Sequence, residues 1–564
     1  MWRRVRAGNL FRVIWAAAGF GLLAFMCAAQ TAPAQRHSAA EAGQRGVFLV
    51  FPFENTGGDG HLDWLGEGLE ELTVQRLAAA GQQVFTHEGR SAQLERYGLP
   101  ASAKLSRASI LRLAEDLDAD YVVFGSYASD GKKLSVVGRL LRVSPAALLP
   151  AVRESGPLET LMELHTRAVW RLLSSSAPGL PPSLGEFSRA QRALRLDAFE
   201  HYIRGRLATE DEPRMRELRE AVRLEPDWPD PAFALGRAFF ARRDCASALS
   251  WFGRVPKTHD RYLEAVFSTG VCHLWTNQPE RAEGVFLALQ ESLKKSAGAA
   301  GDLPEILNNL AVARVRSGKA AAAQGDLLRA AELDPDDDDY PFNLGLLALR
   351  AEDFAGAVAR FREAAGREPD DANARALLIY ALERGGAKAE ADAARAAGPS
   401  RGEPLPAVRA ETLPRLDRVK TELDTTVLRQ EMAEAAAPAA SASGSAAHVR
   451  AGRQQLSAGH LPEAESEFRA ALAADPRDPA THRGLAEIAR RAGRLEEAAA
   501  ELRASLESRD SAIVRTALAR IYLEQKKTEA ARQELEKALK LAPNYAEAKQ
   551  LLQRIEAANP GATR

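Results

Sequence analysis

The chain has 564 residues, of which 46% are hydrophobic and 27% are charged. This composition excludes a mostly disordered chain, because it supplies enough apolar surface for folding. Lysine and arginine together number 75 against 76 aspartate and glutamate residues, so the chain lacks the basic excess that is typical of nucleic-acid-binding proteins. We therefore expect a folded protein without a nucleic-acid partner.

The first residues have the features of an export signal. Four basic residues come first: Arg3, Arg4, Arg6 and Arg12. An apolar run at 13–29 follows, and residues 32–34 (Ala-Pro-Ala) provide the small side chains that signal peptidase requires. We predict that residues 1–34 are a cleaved signal peptide and that the mature chain is periplasmic or otherwise exported. An uncleaved membrane anchor, which would be the chain's one contact with a membrane, and a lipoprotein signal at Cys27 are the alternatives.

Residues 46–176 alternate between strand-like and helix-like patterns, which predicts a small α/β domain. The predicted strands are 47–53, 83–87, 120–127 and 133–143, and the predicted helices are 61–79, 107–118 and 157–174. Asp130-Gly131 predicts a hairpin turn between the last two strands. The glycine-rich loop 57–60 lacks the lysine of a phosphate-binding loop, so we interpret it as a turn and helix cap.

A pattern of small and large residues recurs from about residue 231 onward. A glycine or alanine is followed twelve residues later by alanine and sixteen residues later by a large apolar residue. The clearest small-residue pairs are Gly236 with Ala248, Gly270 with Ala282, Gly345 with Ala357, and Gly452 with Ala464. Successive repeats such as those of Gly236 and Gly270 begin 34 residues apart, a period typical of helix-turn-helix repeats. Small side chains at these positions would let the two helices of a hairpin pack closely.

The stretches FNLGLLALRAEDFAGAVARFREAAGREP (342–369) and RAGRQQLSAGHLPEAESEFRAALAADP (450–476) resemble tetratricopeptide repeats. The resemblance implies a mostly α fold in which stacked hairpins form a solenoid, and it implies a protein or peptide as partner. We predict two sub-arrays of such hairpins, at 197–396 and at 447–558, with a capping helix at the end of the second.

The segment between the two sub-arrays, 397–446, has the composition of a linker. Its centre, 413–435, carries apolar residues at helical spacing, so we predict one helix there that caps or bridges the sub-arrays. A shorter insertion at 292–303, rich in lysine, glycine and alanine, is predicted to be a loop inside the first sub-array.

The amino-terminal region also resembles a known family. The stretches VFPFENTGGDGHLDWLGEGLEELTVQRL (50–77) and LAEDLDADYVVFGSYASDGKKLSVVGRLLRV (113–143) are similar to the TolB-like amino-terminal domain. The resemblance implies a small mixed-sheet domain at 46–176 that mediates protein contacts. It also leaves open a second function, in which this domain binds a ligand or signalling partner and the protein acts as a regulatory or sensory component of the envelope.

Four polar residues are the candidate binding site. Asn309 and Asn343 occupy the same position of successive repeats, and so do Arg316 and Arg350. Helical geometry places them on the first helix of each hairpin, away from the small residues, on the face that lines the groove in similar repeats. Asparagine can both donate to and accept from a peptide main chain, and arginine can bind a carboxylate. Ordinary polar surface is the alternative interpretation.

The sequence shows no pattern of residues for catalysis, a cofactor or a metal, so we predict a non-enzymatic protein. Its ten histidines are scattered, and no nucleophile-and-base pattern stands out. The acidic stretch 334–339 lacks the glycine and the distal glutamate of a calcium loop, so we interpret it as a solvated turn that opens a helix. Cys245 and Cys272 are predicted to be small buried thiols, with a single disulfide between them as the alternative.

Overall fold

The computed structural model describes residues 46–558 apart from a set of short gaps. These gaps are 101–102, 104, 118, 144–145, 177–182, 298–301, 369, 398–404, 409–416, 424–444, 458 and 544. The predicted signal peptide and its cleavage site therefore lie outside the described residues. Within the described residues, no helix combines the length and the apolar content needed to cross a membrane.

The amino-terminal domain combines a mixed sheet with four helices. Its strands are β1 (Val47–Val50), β2 (Glu54–Asn55), β3 (Gln83–Val84), β4 (Tyr121–Ser129), β5 (Leu134–Arg142), β6 (Ala147–Leu148) and β7 (Val152–Gly156). Its helices are α1 (Trp64–Ala79), α2 (His87–Arg96), α3 (Arg107–Asp116) and α4 (Leu161–Ser176).

The sheet is parallel on one side and antiparallel on the other. Its order is β3-β1-β4-β5-β6, with β2 also paired to β4 and β7 also paired to β5. Strands β3, β1, β4 and β2 pair in parallel because helices connect them, whereas β4 and β5 form an antiparallel hairpin through the predicted turn.

Both faces of the sheet are covered. Helices α1 and α4 pack on one face, where residues such as Leu69 and Leu172 are buried against Val123 and Val136. Helices α2 and α3 cover the other face around Leu49. Because β1 is buried on both sides, its sequence is a continuous apolar run rather than an alternating one.

The described secondary-structure elements of the rest of the chain are all helices. After α5 (Leu184–Ala190), the first sub-array consists of α6 (Leu196–Leu207), α7 (Asp211–Leu224), α8 (Pro229–Ala241), α9 (Cys245–Phe252), α10 (Tyr262–Trp275), α11 (Pro279–Ala297), α12 (Pro304–Arg316), α13 (Ala320–Leu333), α14 (Asp339–Arg350), α15 (Phe354–Arg367), α16 (Ala372–Arg384) and α17 (Lys388–Ala397). The second consists of α18 (Ser445–Ser457), α19 (Leu461–Ala474), α20 (Pro479–Arg491), α21 (Leu495–Ser508), α22 (Ala512–Glu524), α23 (Thr528–Leu541) and α24 (Ala546–Ala558).

Glycines in the first helix of a hairpin allow close contact with a phenylalanine of the second. A Cβ atom added at Gly345 would lie 2.7 Å from Phe361, and one added at Gly236 would lie 2.5 Å from Phe252. Gly270 and Gly452 have the same relation to the phenylalanine sixteen residues later. The atoms nearest to such a Cβ thus belong to the large residue of the repeat rather than to the alanine at the twelve-residue spacing. The paired helices are close because the phenylalanine ring lies directly on the glycine backbone.

The amino-terminal domain packs against both sub-arrays. Trp64 of α1 lies edge-on to Phe199 of α6, with 6.1 Å between ring centroids, and both belong to one continuous apolar core. In the second sub-array, the hydroxyl of Ser511, just before α22, donates to Asp116 of α3 at 2.8 Å. The second sub-array also meets the first, because Arg520 forms an ion pair with Asp336 at 2.7 Å.

The mostly α fold with a small α/β region is confirmed by these elements. Four local predictions are wrong. The strand predicted at 47–53 ends at Val50. The strand predicted at 83–87 stops at Val84, because His87 begins α2 behind the helix cap that the Thr86 side chain provides. The loop predicted at 292–303 begins as helix, because α11 continues to Ala297. The helix predicted at 413–435 does not include 417–423, which the structure shows as non-helical; the remainder lies outside the described residues.

Cys245 and Cys272 are free thiols, and both are buried. Burial raises the pKa of the Cys272 thiol well above its usual range, and the neighbouring Cys245 adds to the shift. The disulfide alternative is therefore not formed in this structure.

Replacing Gly345 tests the close contact directly. We expect Gly345→Ala to destabilise the chain by about 1–3 kcal/mol, because the new methyl group would meet the Phe361 ring at 2.7 Å. The measurement is the urea midpoint of helix loss followed by circular dichroism.

Gly366→Ala is the matched control in the same hairpin. Gly366 is an exposed position of α15 where an added Cβ meets nothing within 4 Å. There the change should raise stability by about 0.5–1 kcal/mol, since alanine is the better helix former. Equal midpoints for the two variants would contradict the packing described here.

Candidate functional site

A segment from the region between the sub-arrays lies on the first sub-array. We call residues 417–423 (Asp-Arg-Val-Lys-Thr-Glu-Leu) the inserted segment. It runs along the face made by the first helices of successive hairpins, which we call the groove. Its contacts reach from Arg237 on α8 to Asp371 at the start of α16. The four residues singled out as a candidate site all lie on this face, around the inserted segment.

Two asparagine side chains each bind both main-chain groups of one residue. The Asn343 amide donates to the Arg418 carbonyl oxygen at 2.8 Å and accepts from the Arg418 N–H at 2.9 Å. One repeat earlier, Asn309 makes the same two bonds with Lys420, both at 2.8 Å. Asn308 donates to the Arg418 carbonyl oxygen as well, at 2.9 Å. A carboxamide carries a donor and an acceptor side by side, so it pairs with a main chain as a neighbouring strand would.

The alternation of these bonds shows that the inserted segment is extended. The N–H and C=O groups of residue 418 point to the same side as those of residue 420. In an extended chain, alternate residues present their main-chain groups to the same side, whereas a helix would use these groups internally. Tertiary hydrogen bonds therefore override the helical spacing of the sequence here, which is why the predicted helix is absent from 417–423.

The asparagine amides are buried in the lining of the groove. Asn308 and Asn309 are fully buried, and Asn343 is 5% exposed. A buried polar group without a partner costs about 1–3 kcal/mol, so these amides need a main chain, or its chemical equivalent, in front of them. The Asn343 amide also donates to the Asn308 side-chain oxygen at 2.8 Å, which holds the two side chains in one network.

Two arginines bind the carboxylate at the start of the inserted segment. Arg316 donates to Asp417 at 3.0 Å and Arg350 donates to its other oxygen at 2.7 Å. The Asp417 side chain is only 4% exposed, and Arg316 is itself fixed by a 2.9 Å bond to the Leu274 carbonyl oxygen. Position 417 therefore fits an acidic residue, because a neutral side chain would leave two cations facing each other without a counter-charge.

The next basic residue meets acidic groups on the opposite side of the groove. We call Asp337, Asp338, Asp339 and Asp371 the acidic cluster. Arg418 lies 2.6 Å from Asp338, is also paired with Asp371, and stacks over the Phe342 ring with its guanidinium carbon 3.6 Å from the ring centroid. The combination of an aromatic face and carboxylates is typical of a site for arginine.

Lys420 contacts Asp337 and Asp339 of the acidic cluster. Its ammonium nitrogen lies 2.5 Å from Asp337 and 2.5 Å from Asp339, and 5.2 Å from the centroid of the Tyr340 ring. The oxygens of Asp337, Asp338 and Asp339 are close enough to share a cation. In this structure the cations of the inserted segment fill that role. The acidic stretch forms the predicted turn at the start of α14, but these carboxylates are paired with the inserted segment rather than solvated.

Charge pairing stabilises the ionised forms of these groups. Burial alone would favour the neutral form of Arg418, but Asp371, Asp339 and Asp338 outweigh burial and raise its pKa. Burial likewise opposes the charge of Lys420, and the carboxylates of Asp339 and Asp337 raise its pKa. Both basic side chains therefore remain charged throughout the neutral range.

Apolar contacts fix the other end of the inserted segment. Leu423 is 9% exposed and belongs to the apolar core around α10 and α12, and Val419 packs against the same core. Between them, Glu422 forms an ion pair with Arg237 at 2.7 Å, although it is 74% exposed. An exposed pair of this kind contributes little, so the apolar anchors and the buried polar contacts hold the segment.

Some of the residues that contact the inserted segment were singled out from the sequence, and others were not. Asn309, Asn343, Arg316 and Arg350 were detectable because each type recurs after one repeat length. Asn308 has no counterpart in the next repeat, where Phe342 takes its position, so the repeat pattern did not indicate it. The acidic cluster was interpreted from its local composition alone, and nothing in that composition shows which basic residues it faces.

A second cluster of ionisable groups lies in the amino-terminal domain. His87 of α2 lies 3.2 Å from Glu67 and 3.4 Å from Glu70, both of α1. The three side chains could hold a metal, but the buried Arg90 donates to Glu70 at 3.0 Å and already supplies a cation. We therefore interpret this cluster as an ion-pair network that joins α1 to α2.

The pKa values of this network are displaced from their usual range. Burial favours neutral His87, but its hydrogen bonds to Glu67 and Glu70 outweigh burial and raise its pKa to about 9. Burial raises the pKa of Glu70 to about 7. Burial also opposes the charge of Glu67, but the hydrogen bond from His87 lowers the pKa of Glu67 to about 2.

Removing one asparagine should release the inserted segment. Asn343→Ala deletes both bonds to Arg418, so we expect trypsin to cleave after Arg418 and Lys420 at least about tenfold faster than in the parent chain. The measurement is the rate of cleavage at these two bonds, followed by mass spectrometry under native conditions.

Asn373→Ala is the control, since Asn373 is an exposed asparagine of α16 outside the groove. Its cleavage rate should equal that of the parent chain. Unchanged cleavage in Asn343→Ala would show that the asparagine does not hold the segment.

The network around His87 predicts a pH dependence. A folded-state pKa above the unfolded value means that the contribution of His87 to stability is complete below about pH 6.5 and is lost as the pH rises through about 9. We expect the loss to be on the order of 1–2 kcal/mol between these values, and to be smaller in His87→Gln. Urea midpoints at pH 6.5 and pH 9 measure it. An equal loss of stability between pH 6.5 and pH 9 in the parent chain and in His87→Gln would rule out this role. His460→Gln is the control and should lose as much stability as the parent chain.

Comparison with known proteins agrees with the helical repeats. Family models described as tetratricopeptide repeat match residues 308–358, 342–404, 449–513 and 503–555. No curated protein matches the chain.

Several solved structures are similar to parts of this chain. MamA of Desulfovibrio magneticus RS-1, from residue 41 onward, is 22% identical, with a TM-score of 0.29, and the match covers 32% of this chain and 99% of that one. PilF of Pseudomonas aeruginosa is 15% identical, with a TM-score of 0.28, over 32% of this chain and 80% of that one. A tetratricopeptide repeat protein of Parabacteroides merdae is 14% identical, with a TM-score of 0.22, over 58% and 98%. From the family models and the helical hairpins together, residues 308–404 and 449–555 of this chain are tetratricopeptide repeats.

Proposed function

We propose that this protein is a non-catalytic interaction scaffold whose groove binds an extended segment of another protein. Tetratricopeptide repeats generally serve as scaffolds for proteins or peptides, which supports the broad class. The observation that carries the specific proposal is the pairing of Asn309 and Asn343 with the main chain of an extended segment.

These contacts suit a polypeptide ligand in general. The asparagines bind main-chain N–H and C=O groups, which every residue except proline offers in the same geometry. Their spacing by one repeat matches two alternate residues of an extended chain, because Asn343 binds residue 418 and Asn309 binds residue 420. A small molecule would have to reproduce two such pairs at this separation, whereas any extended peptide does so by its nature.

We further propose that the scaffold is exported. The basic and apolar start of the chain supports a signal peptide or a membrane anchor, so we propose a periplasmic or otherwise exported location. The resemblance of residues 46–176 to the TolB-like domain is part of this proposal, with the domain as a second surface for protein contacts. The ligand-sensing role of that domain remains the less favoured prediction.

The proposal can be tested with peptides of unrestricted sequence. The test protein is the full chain with Arg418→Glu and Lys420→Glu, which weakens its own inserted segment by placing acids against the acidic cluster. We call it the segment-reversed chain. It should retain heptapeptides from a displayed random library, because its groove is accessible while the asparagines remain in place.

The comparison protein carries Asn309→Ala and Asn343→Ala in addition. It should retain at least about tenfold fewer peptides, since each bidentate amide pair is worth on the order of 1–2 kcal/mol. The segment-reversed chain with Asn373→Ala, tested with the same library, controls for a general loss of peptide binding. Circular dichroism checks that all three chains are folded. Equal retention with and without the two asparagines would refute the proposed function.

A further inference from the structure

The inserted segment identifies the chemistry of the partner as well as its extended form. We propose that the groove selects an extended segment in which an acidic residue is followed by basic residues one and three positions later. We also propose that residues 417–423 exclude such a partner until it displaces them. This inference rests on the proposed function and adds the class of ligand and its competition with the chain itself.

The first step of the argument is the fixed distance between opposite charges in the groove. Arg316 and Arg350 face the position of Asp417, and the acidic cluster faces the positions of Arg418 and Lys420. The two arginines lie on α12 and α14, and the acidic cluster lies at the starts of α14 and α16. A ligand that enters the groove therefore meets two cations first and four carboxylates immediately after them, in an order set by the array.

The second step is what happens when the inserted segment leaves. The acidic cluster then loses the two cations that partly neutralise it, while the carboxylates of Asp337, Asp338 and Asp339 remain close enough to share one ion. Like charges at such distances raise each other's energy, and the two arginines lose their shared carboxylate at the same time. A neutral or uniformly acidic peptide cannot compensate for both losses, whereas a peptide with the same order of charges can.

The third step concerns the neighbouring aromatic and apolar surfaces. Phe342 lies under the Arg418 guanidinium, and Tyr340 lies near the Lys420 ammonium. Val419, between the two basic residues, packs on the core of the first sub-array, and so does Leu423, three positions after Lys420. A ligand should therefore have apolar residues at the same two positions. The expected ligand pattern is therefore acidic, basic, apolar, basic, followed by two residues without a strong requirement and an apolar residue.

The fourth step is competition within the chain. The inserted segment is part of the same polypeptide as the groove, so it competes for the groove as an intramolecular ligand. A free peptide of equal intrinsic affinity competes poorly against a tethered one. The parent chain should then bind its partner weakly unless that partner has additional contacts or the inserted segment is released.

The experiment uses a fluorescein-labelled peptide with the sequence Asp-Arg-Val-Lys-Thr-Glu-Leu and the full-length chain. The segment-reversed chain should bind this peptide at least about tenfold more tightly than the parent chain does, measured by fluorescence anisotropy. A peptide of sequence Arg-Glu-Val-Glu-Thr-Glu-Leu should bind the segment-reversed chain at least about tenfold more weakly than the first peptide, since the charges at its first, second and fourth positions would then face groups of the same sign.

A charge exchange in the groove provides the matched control. Arg316→Glu with Arg350→Glu, made in the segment-reversed chain, should reverse the preference at the first position. That variant should favour Lys-Arg-Val-Lys-Thr-Glu-Leu over the peptide that begins with aspartate. A variant that merely failed to fold would bind neither peptide, and circular dichroism would identify it, so the inference is tested by the reversal and not by loss alone.

Each outcome separates the inference from the proposed function. If random heptapeptides are retained through the asparagines but the order of charges has no effect on affinity, the proposed scaffold function is supported and the inferred ligand class is wrong. If the parent and segment-reversed chains bind the peptide equally, competition by the inserted segment is excluded. If the chain self-associates with rising concentration and the segment-reversed chain does not, the occupant is residues 417–423 of a second copy, and the assignment to a different protein is overturned.

Discussion

The groove depends on one constraint, which is that buried carboxamides must have hydrogen-bond partners. Asn308, Asn309 and Asn343 lie in the lining of the first sub-array with almost no exposure to water. In a purely helical packing they would be costly, because helix main chains already use their own polar groups. The inserted segment supplies the missing groups at residues 418 and 420, and the other contacts of the groove are arranged around it.

Main-chain recognition and charge recognition are divided between different side chains. The asparagines bind groups that are the same in almost every residue, so they define an extended polypeptide without defining its sequence. In the proposed function, the arginines and the acidic cluster would distinguish one sequence from another, because a mismatched charge would be left buried without a partner. The acidic stretch also joins the sub-arrays, since Asp336 pairs with Arg490 and Arg520 while its neighbours hold the inserted segment. Burial opposes the charge of Asp336, but these two arginines lower its pKa.

Sequence periodicity predicted the helical hairpins well because their packing is local and repeated. Gly345 and Phe361 are sixteen residues apart, and the same relation recurs in other hairpins, so the pattern contains the contact. The inserted segment is different, since Lys420 pairs with Asn309 across more than a hundred residues. Its helical spacing was a correct observation, but the hydrogen bonds that override it are not visible in the sequence. In the amino-terminal domain, the short strand β6 and the helix α2 were missed because tertiary pairing and a Thr86 cap determine them more than periodicity does.

The most direct test of the account is the hydrogen-exchange rate of the Arg418 and Lys420 main-chain amides in the full-length chain. Both amides donate to buried asparagine side chains, so their exchange should be slowed by at least about a hundredfold relative to the same sequence as a free peptide. The amide of Thr421, whose side chain is exposed, serves as an internal reference. Exchange of the Arg418 and Lys420 amides at free-peptide rates would mean that the segment does not occupy the groove, and the account of the site would be wrong.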